Sequence, residues 1–137
     1  MSAIEILKTY FDAFNSGDLE TLESLLHDDV EHHVNQGPIR PGKARFQEFN
    51  RHMSACYREE LTDLVLFSNE DGTRAAAEFT VNGTYLKTDE GLPPAKGQRY
   101  VLPAGIFFTL KDRKIIRVAT HYNLEDWMRQ VVGTVSG

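Results

Sequence analysis

Hydrophobic and polar positions change period once along the chain, near residue 56. Before it, apolar residues recur at helical spacing. Ile4, Leu7, Phe11 and Phe14 fall on one face, with Ile6, Tyr10 and Ala13 in a second stripe beside it. A stripe that wide suits a helix lying on a sheet. Ser2-Ala3-Ile4-Glu5 is a capping-box pattern that starts this helix. Gly17 can take the left-handed conformation that ends it, and Asp18 can cap the next. Leu19, Leu22, Leu25 and Leu26 supply the buried face of a second helix, which Asp28-Asp29 break. Val30 to Asn35 then alternates as a short strand, with Val30, His32 and Val34 on one face and Glu31 and His33 on the other. Pro and Gly punctuate residues 36–42, and Phe46, Phe49 and Met53 mark a third helix.

After residue 56 the period is that of strands. Leu61–Phe67, Ala75–Leu86, Tyr100–Leu110 and Ile115–Tyr122 read as strands. Asn69–Gly72 and Asp112–Lys114 are turns, and residues 89–97, with Gly91, Pro93, Pro94 and Gly97, form a loop that could serve as a lid. Asn123 can cap a short final helix through Trp127 and Val131. The order predicts one α+β domain over residues 1–137, with helices packed on the concave face of a strongly curved, mainly antiparallel sheet. Gly83 and Gly105 inside long strands fit such curvature.

Composition narrows the function. The 137 residues carry a net charge of -5 with no run of basic side chains. That argues against nucleic acid and against an anionic membrane surface as partners. No signal-peptide pattern and no membrane-length apolar run is present. Cys56 is the sole cysteine, so no internal disulfide is expected and a cytoplasmic location is. Asn82-Gly83-Thr84 is then a chance sequon. No HxH, HExxH or Cys/His cluster appears, and adjacent histidines in a strand point oppositely, so no metal site and no cofactor is expected.

The stretch TYFDAFNSGDLETLESLLHDDVEHH, followed by GPIRPGKARFQEF, AAAEFTVNGTY and LPAGIFFTL…KIIRVATHYN, resembles ketosteroid isomerase and the SnoaL-like polyketide cyclases. These belong to the nuclear-transport-factor-2-like superfamily of cone-shaped α+β barrels, and more narrowly the chain looks like the ketosteroid-isomerase-related proteins. The resemblance implies an internal pocket for a small apolar molecule and a homodimer through the outer sheet face. Tyr10 matches the oxyanion tyrosine of the isomerase. The catalytic base falls on Val34, or on Asn35 with a one-residue slip, and the protonated aspartate falls on Gly105. Neither valine nor glycine can move a proton, so the resemblance does not carry the steroid mechanism over.

Catalysis then rests on two candidates. Tyr10 would polarise a carbonyl oxygen, and His32, on the inner face with Val30 and Val34, would act as acid or base near neutral pH. For each the rival reading is a satisfied core residue. The pocket wall would come from Val34, Asn35, Phe79, Val81, Tyr85, Gly105 and Phe107. Val118, Thr120 and Tyr122, which the resemblance turns inward with Ile116, would complete it, a mostly apolar wall with a few polar points. Glu78 reads as an outer charge paired with Arg99 or Arg117. Two functions stay open: an isomerase- or cyclase-like enzyme acting on a polyketide-, steroid- or terpenoid-like carbonyl compound, and a non-catalytic binding or dimerisation domain of the same fold; a third, epoxide or ester hydrolysis by an activated water, lacks an obvious inward carboxylate.

Overall fold

A computed structural model describes residues 1–133. Helix α1 (Ala3–Ser16) opens on the capping box: Ser2 Oγ accepts from Glu5 N at 3.2 Å, and Glu5 Oε1 accepts from Ser2 N at 3.1 Å. Gly17 ends it at φ 75°, and the Asp18 carboxylate caps α2 (Leu19–Ser24) through Thr21 N. The second helix is shorter than its leucines suggest. β1 (Leu26–Val34) begins at Leu26, which pairs in parallel with Ile115. Both side chains are buried there, so sheet pairing outweighs one more helical turn. Asp28 and Asp29 lie where the register shifts, exposed on an irregular edge rather than at a helix end.

β2 (Arg40–Pro41) is a short strand added antiparallel to β1, where the sequence predicts only a turn. Then come α3 (Lys43–Cys56), β3 (Tyr57–Ser68), β4 (Arg74–Tyr85), β5 (Arg99–Lys111), β6 (Lys114–Tyr122) and α4 (Leu124–Val132). The six strands form one curved, unclosed sheet in the order β2-β1-β6-β5-β4-β3, antiparallel except for β1 beside β6. The architecture is the expected α+β cone. No helix among the described residues is long and apolar enough to cross a membrane.

Register decides which side chains face the helices. On β4 the buried positions are Ala75, Ala77, Phe79, Val81, Gly83 and Tyr85. Phe79 pairs with Ala104 and Val81 with Leu102, so β5 turns Tyr100, Leu102, Ile106 and Phe108 inward. Gly105 and Phe107, expected in the pocket wall, therefore point outward. Phe107 is 54% exposed and meets His121 edge-on. It belongs to an outer row, His33, Ala119, Phe107, Ala76 and Phe67, that crosses five strands. Glu78 is outward as expected, but its register neighbours are Val65 and Gly105, and it forms no ion pair among the described residues.

On β3 a bulge between Thr62 and Val65, with Asp63 at φ 54°, switches the parity. Before it Tyr57, Glu59 and Leu61 face inward; after it Leu64 and Leu66 pack against the core. Asn15 of α1 clasps this strand from both sides: its Nδ2 donates to Leu61 O at 2.9 Å, and its Oδ1 accepts from Leu61 N at 2.8 Å.

Candidate functional site

The inner face holds two groups of polar side chains, and the first contains both predicted catalytic residues. Tyr10 is buried, with its ring edge-on to Phe11 at 5.2 Å and to Phe108 at 5.5 Å. Its hydroxyl has no hydrogen-bond partner among the described residues, and burial holds its pKa above the usual phenol range. His32 is 3% exposed. Its imidazole lies against Phe46 at 4.3 Å and Phe49 at 4.5 Å, under α3. Burial first, then the charges of Arg40 and His33, lowers its pKa to about 4. Its Nδ1 and the Nη1 of Arg40, its register neighbour on β2, are both buried without partners. Val118 stands between Phe108 and His32 in the sheet. Two strand spacings separate the backbones beneath the two rings, about 10 Å. Tyr10 and His32 thus lie over different strands of one face, Tyr10 against Phe108 and His32 against Phe46 and Phe49.

The other predicted wall residues divide. Phe79 packs on Phe11 at 5.5 Å, and Val81 and Val118 are buried. Val34 and Thr120 are half-buried register partners. Asn35, at φ 49°, closes β1 with its own groups: its N donates to Thr120 O at 2.8 Å, and its Oδ1 accepts from Tyr122 N at 2.9 Å.

The second group lies where β3 begins and β4 ends, and it rests on a missing side chain. A Cβ on Gly83 would fall 2.1 Å from Tyr100 Cζ. With none there, the Tyr100 ring crosses β4, and its hydroxyl donates to Glu59 Oε2 on β3. Tyr57 stacks on Tyr85 with centroids 5.2 Å apart, and Trp127 of α4 sets its indole edge-on against Tyr57, Tyr85 and Tyr100. Tyr57 Oη donates to Asp89 Oδ2 at 2.8 Å, while Tyr85 Oη donates to Pro93 O at 2.6 Å and accepts from Asp89 N at 2.9 Å. The loop expected to act as a lid is thus bolted to the sheet. Gln98 Nε2 also ties it to Val131 O of α4.

Electrostatics single out Glu59. Its surroundings are dense enough that desolvation raises its pKa above the ordinary carboxylate value, although the Tyr100 hydrogen bond pulls the other way. Tyr122 is half-buried; burial, then Glu59 and Asp89, raise its pKa, so it stays a neutral donor. Its hydroxyl has no partner among the described residues. A carboxyl group with a shifted pKa, bonded to one phenol and near a second with an unpartnered hydroxyl, is a recurrent acid–base arrangement. Neither Glu59 nor Asp89 is among the residues singled out from sequence. Glu59 had a signal: Tyr57, Glu59 and Leu61 alternate onto one face once β3 is begun at Tyr57. Asp89 had none, because a loop side chain has no period.

Two surface depressions lie outside the Glu59 group. One of about 450 Å³ sits beside the start of α1 and the β3–β4 and β5–β6 turns. The other, about 290 Å³, is lined by Arg40, Arg45, Glu48, Phe49 and His52. Neither is lined by Tyr10, His32 or Glu59.

The family described as SnoaL-like domain matches residues 7–118. A candidate polyketide cyclase from Pseudomonas putida KT2440 is 55% identical and superposes with a TM-score of 0.95, over 96% of this chain and 98% of that one. One from Silicibacter sp. TM1040 is 58% identical over 95% of each chain, with a TM-score of 0.92. A third, from Xanthomonas campestris pv. campestris, is 47% identical over 94% of this chain and 96% of that one, with a TM-score of 0.91. No curated protein matches.

Proposed function

The chain belongs to the SnoaL-like domain family, and on that premise we propose that it is an acid–base enzyme acting on a small apolar carbonyl compound. The family and its fold support a cyclase- or isomerase-like role; the substrate class, polyketide-, steroid- or terpenoid-like, is part of the proposal. The carrying observation is the Glu59 carboxyl, held by the Tyr100 hydroxyl within an aromatic enclosure and raised in pKa by desolvation. As a carboxylate, Glu59 takes a proton from the carbon next to the carbonyl. The Tyr122 hydroxyl donates a hydrogen bond to the oxygen as enolate charge develops. Glu59 then returns the proton to another carbon, which is isomerisation, or the enolate carbon attacks a second carbonyl, whose oxygen becomes an alkoxide and takes the proton back from Glu59, which closes a ring.

This reading moves the proton transfer from His32 to Glu59. An imidazole with a pKa near 4, clamped between two phenyl rings, is a weak base with little room for substrate. Solvent-deuterium incorporation into a panel of cyclic ketones and β-diketones, followed by proton NMR, tests the assignment. Glu59→Gln keeps the shape and is expected to slow exchange at least about 100-fold. An unchanged rate would remove Glu59 from the mechanism.

We further propose that the outer row containing Phe67 and Phe107, 52% and 54% exposed, meets a second copy of the chain. A monomer mass by light scattering at micromolar concentration would overturn that.

A further inference from the structure

We propose that His52, Cys56 and Asp89 form a binding site for a zinc-type divalent ion, open at one coordination position. His52 and Cys56 are four residues apart on α3 and so share a helix face. Asp89 comes from the loop after β4. The His52 Nε2 lies 2.8 Å from Asp89 Oδ1 and 4.0 Å from Cys56 Sγ, and all three ligand atoms fall within 4.8 Å of one another. Tetrahedral zinc with ordinary bond lengths sets its ligand atoms about 3.3 to 3.6 Å apart. The His52–Asp89 and His52–Cys56 separations bracket that range, and with all three atoms within 4.8 Å of one another, shifts of about 1 Å would seat the ion.

The remaining contacts aim the site. Tyr57 holds the other carboxylate oxygen of Asp89 at 2.8 Å, and Tyr85 accepts from the Asp89 backbone, which leaves Oδ1 turned to the histidine and thiol. Supports of this kind fix metal-ligating carboxylates. Cys56 is buried while the His52 side chain is 51% exposed, so an ion reaches the thiol past the imidazole. A thiolate, an imidazole and one carboxylate suit zinc rather than magnesium or calcium, which take all-oxygen shells. Three protein ligands leave a fourth position for water or another small ligand.

A catalytic triad does not fit these atoms. A triad needs the thiol on one ring nitrogen and the carboxylate on the other. Here both face Nε2, the arrangement of ligands around a common point. Without an ion, burial and then Asp89 raise the Cys56 pKa, with Lys87 pulling the other way. Binding forms the metal–sulfur bond and releases the thiol proton to solvent, with no change of oxidation state.

The test is a cobalt titration of full-length, chelator-stripped protein, reading thiolate-to-cobalt charge-transfer absorption in the near ultraviolet. One equivalent of Co²⁺ is expected to give that band, and Zn²⁺ to bleach it. Cys56→Ser and His52→Ala are expected to abolish it, and Asp89→Asn to weaken apparent affinity at least about tenfold. Absence of the band in the wild type overturns the proposal, and so does a band that survives in His52→Ala. His52 is exposed, so its substitution preserves the fold, checked by circular dichroism. If Cys56→Ser does not fold, His52→Ala and Asp89→Asn decide: loss supports the site, and unchanged affinity overturns it.

Discussion

His32 and Glu59 are both acid–base side chains on the inner sheet face, flanked by aromatic rings, yet they are solvated by the protein in opposite ways. Glu59 accepts a hydrogen bond from Tyr100 and sits near the phenol of Tyr122. His32 Nδ1 is buried without a partner, and the first charge acting on the ring is the Arg40 cation. Desolvation therefore drives both groups toward neutrality, but only Glu59 has a partner that also tolerates its charge. A buried polar group with a partner can change protonation state during a reaction; one without a partner is fixed in its neutral form.

The largest test of this contrast is pH. His32 has a folded-state pKa of about 4 against an ordinary 6.5. Below 6.5 the unfolded chain takes up a proton that the folded chain refuses until about 4. Stability is therefore lost as pH falls through that window, by at most about 3 kcal/mol. Urea unfolding at pH 7 and pH 4.5 reads the loss, and His32→Leu should flatten it. Glu59 runs the other way: its raised pKa means stability is lost as pH rises through the folded value. A wild-type profile flat from pH 7 to 4.5 and unaltered by His32→Leu would break the comparison.

Gly83→Ala is next. The added carbon displaces a buried ring, since Tyr100 is only 2% exposed and packed against Trp127. Overpacking of this kind costs about 1 to 3 kcal/mol. Thermal melts check the cost, and loss of ketone exchange in the folded variant would show that Tyr100 positions Glu59. The smallest effect is expected from Tyr100→Phe, about 1 kcal/mol, because it removes one hydrogen bond to a partly accessible carboxyl. Its sharper readout is the pH–rate profile, where the limb assigned to Glu59 should move upward.

Much of the fold was legible because periodicity reports local burial. The capping box at Ser2, the left-handed Gly17, the caps at Asp18 and Asn123, and the parity of β4 each need only neighbours in sequence. The errors came where register intervened. The resemblance puts Gly105 inward and an apolar side chain suggests the same for Phe107, whereas pairing of Phe79 with Ala104 sets the phase of β5. Leu26 looked helical because its strand partner, Ile115, is far away in sequence. Gly83 read as a bend; its use is to let a ring from the next strand pass over it.

The sequence by itself determined the order of the helices and long strands, the α+β class and the inward parity of His32 and Tyr85, because these follow from side-chain alternation and backbone capping. Only the tertiary structure decided which polar groups meet. Glu59 and Tyr100 are joined across β4, and His52, Cys56 and Asp89 are gathered from a helix and a loop. Those encounters depend on strand register and on one absent Cβ, long-range facts that no local pattern encodes.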